Sequence, residues 1–220
     1  MATPQADPIT TETRQRVLEA AGEVFAERGF RATTVRDICQ RARANLAAVN
    51  YYFGDKEQLY AAVLQSAFRC ATEKYPLDLG LGAEATAEER LQAFIRSHLF
   101  SLLDEGLPAW HRKLLTREMA EPTGALDTVV DQMIRPEAEL LMSIVREVLG
   151  HDANPRRVWR CATSIIGQCL FYHHARPVIE RLDPEQTYTP EAIEPLVDHV
   201  TQFSLAALRQ FARAQRREAR

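Results

Sequence analysis

Between Thr34 and Lys56 the chain gathers groups that recognise rather than cleave. Leu46, Ala47 and Ala48 are small or apolar enough to approach base edges and thymine methyl groups. Asn50 carries an amide that pairs with a base or a phosphate, and Tyr51 and Tyr52 bring hydroxyls suited to phosphate oxygens. Lys56 follows three residues after Phe53. At the start of a helix its ammonium adds to an already positive end, a natural clamp for phosphate. The bland alternative is that the aromatic run Tyr51-Tyr52-Phe53 is ordinary core, and for Phe53 that is the preferred reading.

These groups need two short helices to hold them. Thr34 is placed to cap the first through its hydroxyl, with Asp37 three residues on completing a capping box. Val35, Ile38 and Ala42 then share its inward face. A four-residue turn, Arg41 to Ala44, leads to Asn45, a strong N-cap for a second helix from Leu46 to about Phe53. Asp55 caps the next, with Gln58 at its third position. Helices joined this tightly form a helix-turn-helix, which sets its second helix in a DNA major groove. Upstream, Val17, Leu18, Ala21, Val24 and Phe25 mark a supporting amphipathic helix ending at Gly29.

The stretch from Thr13 to Tyr60 resembles the DNA-binding domain of TetR-family transcriptional regulators. The resemblance runs through RVLEAAGEVFAERGF, TTVRDI and NLAAVNYYFGDKEQLY, in the family's order and spacing. It implies DNA contacts by Thr34, Asn45, Leu46, Ala47, Ala48, Asn50, Tyr51, Tyr52 and Lys56, and Arg43 is a further candidate where the chain departs from the family. Where the family usually has glycine in the turn, this chain has Arg43. A left-handed conformation there costs arginine about 1 kcal/mol, which a phosphate contact would offset. Asn50 stands where many relatives have tyrosine. Further on, Arg117–Asp127 (REMAEPTGALD), Ile134-Arg135-Pro136 and Ile166–Ile179 resemble a CerR-like subgroup of C-terminal domains in the same family.

Composition fits this reading without demanding it. The 220 residues are 46% hydrophobic and 26% charged, as in globular proteins. They suffice for one DNA-binding module and one larger domain. The net charge of −3 is uneven: residues 1–60 hold 8 basic and 8 acidic groups, so the rest of the chain carries the whole excess. Glu19, Glu23 and Glu27 can face away from DNA while Arg36, Arg43 and Lys56 face it; a local basic surface is what phosphate requires. No apolar run nears the roughly 18 residues of a membrane span, and no signal peptide is visible. Cys39, Cys70, Cys161 and Cys169 lack C-x-x-C spacing, which fits a reduced, cytoplasmic protein.

Helical periodicity continues to the end, so the expected fold is all-α. The expected organisation is a disordered arm (1–10), a helix-turn-helix domain (11–60), a connecting helix (61–75) and, after a Gly/Pro boundary, a helical ligand-binding and dimerisation domain (86–216). Thr86 and Glu89 form a second capping box; a long pattern from Leu126 to Leu149 is interrupted at Pro136; Pro155 and Pro190 open the last two long helices. Both have more apolar surface than one partner helix covers, which points to pairing with a second chain.

The resemblance implies an effector cavity in the C-terminal domain. Phe94, His98, Trp110, Arg117, Gln168, Phe171 and His173 are the candidates to line it for an unidentified small molecule. Phe94 and His98 read equally as core, and Arg117 as one half of an ion pair. Gln168, polar in an apolar helix, needs a partner. Cys169 and His173 are spaced i, i+4, but two ligands do not close a zinc site, and no cofactor is expected. No Gly-rich phosphate loop, H-E-x-x-H or G-x-S-x-G occurs, so an enzyme is disfavoured. A helical protein-interaction adaptor is the other alternative; it leaves the pattern from Asn50 to Lys56 unexplained.

Overall fold

The structure, a computed structural model, describes residues 8–218. The segment 1–7 of the expected arm lies outside the described residues, and Pro8–Thr10 already form helix. Proline suits a helix start, because its missing N–H falls where no intrahelical acceptor exists. The helices are α1 (Pro8–Ala32), α2 (Val35–Ala42), α3 (Leu46–Phe53), α4 (Lys56–Lys74), α5 (Ala87–Leu103), α6 (Ala109–Ala120), α7 (Ala125–Val129), α8 (Arg135–Leu149), α9 (Pro155–His174), α10 (Arg176–Leu182) and α11 (Pro190–Glu218). No strand occurs among the described residues, and the fold is all-α.

Two details depart from the periodicity. The first helix kinks at Gly29, whose φ of 82° no helix contains, and one more turn reaches Ala32. The break in the pattern from Leu126 to Leu149 lies upstream of Pro136, where Val130–Ile134 widen into a π-helical turn. Pro136 offers no N–H to the preceding turn and its ring crowds the carbonyl four residues back. Widening that turn accommodates both defects.

The contacts divide the chain into two units. The first comprises the residues up to Cys70 together with Pro108–Met133; the second runs from Ala71 to Leu107 and from Ile134 onward. Thus α6 and α7, inside the stretch expected as one C-terminal domain, fall in the first unit, where α6 packs on α1 and bonds α4 through Tyr60. The second unit has a core of its own. Leu91, Phe94, Ile95, Leu99 and Leu103 of α5 pack among Leu141 and Val145 of α8, Val158, Ile165 and Cys169 of α9, and Ile193, Val197 and Leu208 of α11.

In the first unit α1 contributes Val17, Leu18, Ala21, Val24 and Phe25 to the core, each 3% exposed or less. Its Gly22 lies under the indole of Trp110 from α6, and a Cβ there would come within 2.4 Å of the ring. The glycine is what lets α6 approach α1. Alanine is about 1 kcal/mol better than glycine within a helix, but overpacking costs roughly 1–3 kcal/mol. Gly22→Ala should therefore lower stability by about 1 kcal/mol, and Gly22→Val by more. In a Trp110→Ala background, Gly22→Ala should instead stabilise. Denaturant unfolding of the four variants checks this, and a stabilised Gly22→Ala in the parent chain would contradict it.

Candidate nucleic-acid interface

The helix-turn-helix forms for the local reasons its residues provide. The Thr34 hydroxyl accepts from the Asp37 backbone N–H at 3.2 Å, and the Asp37 carboxylate accepts from the Thr34 backbone N–H at 2.9 Å. Thr34 Oγ1 also donates to Asp37 Oδ2 at 2.6 Å, so its proton is already used within the cap. These bonds from Thr34, reinforced by Arg28 at 2.9 Å, hold the Asp37 carboxyl below the usual carboxylate range. Helix α2 runs through Ala42, and the turn narrows to Arg43 and Ala44, whose N–H groups reach the carbonyls of Gln40 and Cys39. Arg43 takes the left-handed conformation (φ 49°, ψ 43°). Asn45 Oδ1 accepts from the Ala48 N–H at 2.7 Å and starts α3.

Only two residues of α3, Val49 and Phe53, are buried. Phe53 is core, with the Arg14 guanidinium over its ring at 5.2 Å. The opposite face is given to solvent: Leu46 is 49% exposed and Tyr51 80%, and Ala47 and Asn50 are exposed beside them. Ala48 and Tyr52 are partly covered, Tyr52 meeting Tyr51 edge to face at 5.2 Å. A leucine and a tyrosine are thus given to solvent on one short helix. At the start of α4, Asp55 Oδ1 accepts from the Gln58 N–H at 2.7 Å, and the Lys56 ammonium rests over the Phe30 ring at 4.4 Å. The acids of α1 are engaged elsewhere, Glu23 and Glu27 by Arg41 at 2.8 and 3.0 Å, while Arg36 and Arg43 are exposed.

The candidates for effector contact do not gather at one place. Phe94 and His98 stack on α5 with ring centroids 4.4 Å apart, in the interior of the second unit. Gln168 bonds Ser204 Oγ at 3.3 Å in a groove of about 500 Å³ between α9 and α11, lined by Cys161, Ile165, Phe203 and Phe211. Phe171 is 59% exposed, and His173 lies beside the His174 ring. Trp110 and Arg117 belong to the first unit, Arg117 reaching towards the Ala26 carbonyl at 3.5 Å and lying against Gly29. Burial pushes the Cys169 thiol up to about 12, which makes it an inert core group. No cluster of three or more metal-ligating side chains occurs among the described residues.

One polar partner escapes sequence reasoning. Glu137 of α8 faces His98 with Oε2 3.6 Å from Nε2, both side chains about 15% exposed. Burial pushes Glu137 up to about 7 and His98 down to about 4. The separation of 39 residues hides this meeting from any local pattern. Burial thus disfavours the charged form of both groups.

Three comparisons bear on this arrangement. Residues 17–63 match the model for bacterial regulatory proteins of the tetR family, and residues 87–208 match the C-terminal domain of the HTH-type transcriptional dual regulator CecR. The CecR protein of Shigella flexneri is 30% identical over 182 residues, spanning 76% of this chain and 78% of that protein. The HTH-type transcriptional repressor NicS of Pseudomonas putida is 38% identical over 86 residues, 38% of this chain and 40% of that one. Among solved structures, AibR in complex with isovaleryl coenzyme A and operator DNA superposes with a TM-score of 0.62 at 19% identity, covering 84% of this chain and 96% of that one. A tetR-family regulatory protein from Rhodococcus RHA1 gives 0.65 at 18% identity, covering 90% and 97%.

The proton inventory of the interior pair has opposite signs in its two members. Glu137 keeps a proton in the folded chain that the unfolded chain loses between pH 4.5 and 7, so its contribution to stability falls as pH rises. His98 lacks, when folded, a proton the unfolded chain holds between pH 4 and 6.5, so its contribution rises. The two trends are opposed. Relative to the parent, Glu137→Gln should gain stability as pH rises from 4.5 to 7, and His98→Gln should lose it from pH 4 to 6.5. Urea unfolding at several pH values measures both, and parallel curves for all three chains would contradict the assignment.

Proposed function

This chain belongs to the TetR family of DNA-binding transcriptional regulators, and we propose that it works as a homodimeric repressor released from an inverted-repeat operator by a small molecule. The observation that carries this reading is the outward face of α3, where Leu46 and Tyr51 stand in solvent on a helix braced from behind. Leu46, Ala47, Ala48 and Asn50 approach base edges in the major groove. Tyr51, Tyr52, Lys56 and the exposed Arg43 meet phosphates. Thr34 joins them only if its hydroxyl proton leaves Asp37; its oxygen otherwise serves the cap. Asn45 uses its Oδ1 for the cap, which leaves the NH₂ for outward contact.

Dimerisation is supported by the apolar surface of the last two long helices. Trp159 and Phe171 on α9 are 53% and 59% exposed, and Phe203 and Phe211 on α11 are 61% and 44% exposed. Phe203 and Phe211 line the groove between α9 and α11, and exposed large side chains of this kind are what an isologous interface covers. Gln168 and Ser204 then form a polar point within that interface, rather than an effector contact. The effector reading attaches to the interior of the second unit, where Phe94, His98 and Glu137 supply one polar centre among apolar side chains. AibR was crystallised in complex with isovaleryl coenzyme A and operator DNA, which supports a small-molecule effector as well as an operator for a chain of this fold. A ligand that prefers one arrangement of the DNA-binding helices shifts DNA affinity by its differential binding to the two.

The reading separates two kinds of residue by measurement. Lys56→Ala should weaken binding on every DNA sequence and reduce the salt slope of log K by about one. Substitution at Ala47 or Ala48 should leave that slope unchanged and alter which sequence is preferred. Fluorescence anisotropy against a salt series, with specific and mixed-sequence duplexes, distinguishes them. A Lys56→Ala chain with parental affinity and slope would overturn the phosphate assignment.

A further inference from the structure

The segment REMAEPTGALD conceals a buried acid that the DNA contacts above do not use. Glu118 of α6 is 0% exposed, and three donors converge on it. The Tyr60 hydroxyl of α4 donates to Oε2 at 2.8 Å, while the Thr123 backbone N–H and hydroxyl donate to Oε1 at 2.8 and 3.0 Å. Thr123 Oγ1 in turn accepts from the Ala125 N–H at 3.2 Å, at the start of α7. One carboxyl group therefore ties α4 to the turn between α6 and α7.

From Tyr60 the contacts lead back towards DNA. Its ring, 2% exposed, lies 4.9 Å from the Phe30 ring and 4.8 Å from the Phe25 ring. The Phe30 ring in turn carries the Lys56 ammonium at 4.4 Å. Lys56 and Tyr60 are i and i+4 on α4, so Phe30 meets two neighbours on one helix face. Burial first, and the Glu118 bond second, push the Tyr60 phenol up, so it remains a donor.

Packing alone does not call for this acid. A leucine or methionine would fill the space without the desolvation cost of a buried carboxyl. What the carboxyl adds is direction, because its two oxygens are aimed at donors on two different elements. We infer that Glu118 is a positioning residue for the DNA contact of α4: it fixes Tyr60, Tyr60 fixes Phe30, and Phe30 fixes the ammonium of Lys56. The inference rests on the reading of Lys56 as a phosphate contact.

Glutamine is the conservative replacement. Its carbonyl oxygen can accept from Thr123 and its NH₂ can donate to the Tyr60 oxygen, whereas leucine supports neither bond and Tyr60→Phe removes the hydroxyl alone. The experiment is the salt dependence of binding by the full chain to a long mixed-sequence duplex, on which phosphate contacts act irrespective of sequence. Glu118→Leu and Tyr60→Phe should each lose several-fold affinity and shift the slope towards that of Lys56→Ala. Glu118→Gln should keep the parental slope. Either change combined with Lys56→Ala should add no further loss. Circular dichroism identifies folded variants, and if Glu118→Leu does not fold, Tyr60→Phe decides. A parental slope in folded Tyr60→Phe, or losses that add to that of Lys56→Ala, would overturn the positioning role while a reduced slope in Lys56→Ala keeps the DNA reading intact. An unchanged slope in Lys56→Ala would overturn both.

Discussion

An eight-residue helix that presents a leucine and a tyrosine to solvent has to be held in place by everything except that face. Isolated helices shorter than about 12–15 residues are marginal in water, and α3 is well below that length. Of its residues only Val49 and Phe53 are buried, worth roughly 1.5–3 kcal/mol each when fully covered. The remaining support comes from its ends and from behind: the Asn45 cap, the left-handed turn at Arg43, and the α1 and α2 surfaces on which it lies. Arginine in that turn costs about 1 kcal/mol relative to glycine, a cost the fold tolerates at a position exposed beside the candidate contact face.

The same requirement explains why α6 and α7 belong to the first unit. Two short helices, α2 and α3, leave the inner sides of the longer α1 and α4 only partly covered. Trp110 over Gly22 and Glu118 on Tyr60 close them. These are two unlike devices. The first is a fit of shapes that any large side chain at position 22 destroys. The second is directional and joins α4 to the α6–α7 turn through three hydrogen bonds. Within the second unit the polar interior is organised differently: burial raises Glu137 and lowers His98, whose side chains face each other at 3.6 Å.

What was legible in the sequence follows from distance along it. Both capping boxes, at Thr34–Asp37 and Thr86–Glu89, span three residues and are present as read. The inward stripe of α1, the all-α fold and the family were legible for the same reason, because each is written in local periodicity or contiguous motif. Features that depend on long-range meetings were hidden. Tyr60 and Glu118 are 58 residues apart, and nothing near either names the other. Trp110 and Arg117 read as effector contacts because their segment follows a domain boundary in sequence, while their contacts lie with α1. Gln168 was rightly seen to need a partner; Ser204, 36 residues away, places it in the groove between α9 and α11. Gly22 did offer a signal, as an isolated glycine inside a strongly helical pattern, which marks close approach more often than flexibility. The short helix α10 had no such mark.

The central claim is that the exposed face of α3 reads DNA as one half of a twofold pair. The measurement that addresses it most directly is selection of duplexes from a random pool by the purified full-length chain, followed by sequencing. The account predicts enrichment of an inverted repeat whose half-sites are separated by about one helical turn or more, as two recognition helices related by a twofold axis require. Enrichment of no sequence at all, or of a single half-site without its symmetric partner, would contradict it.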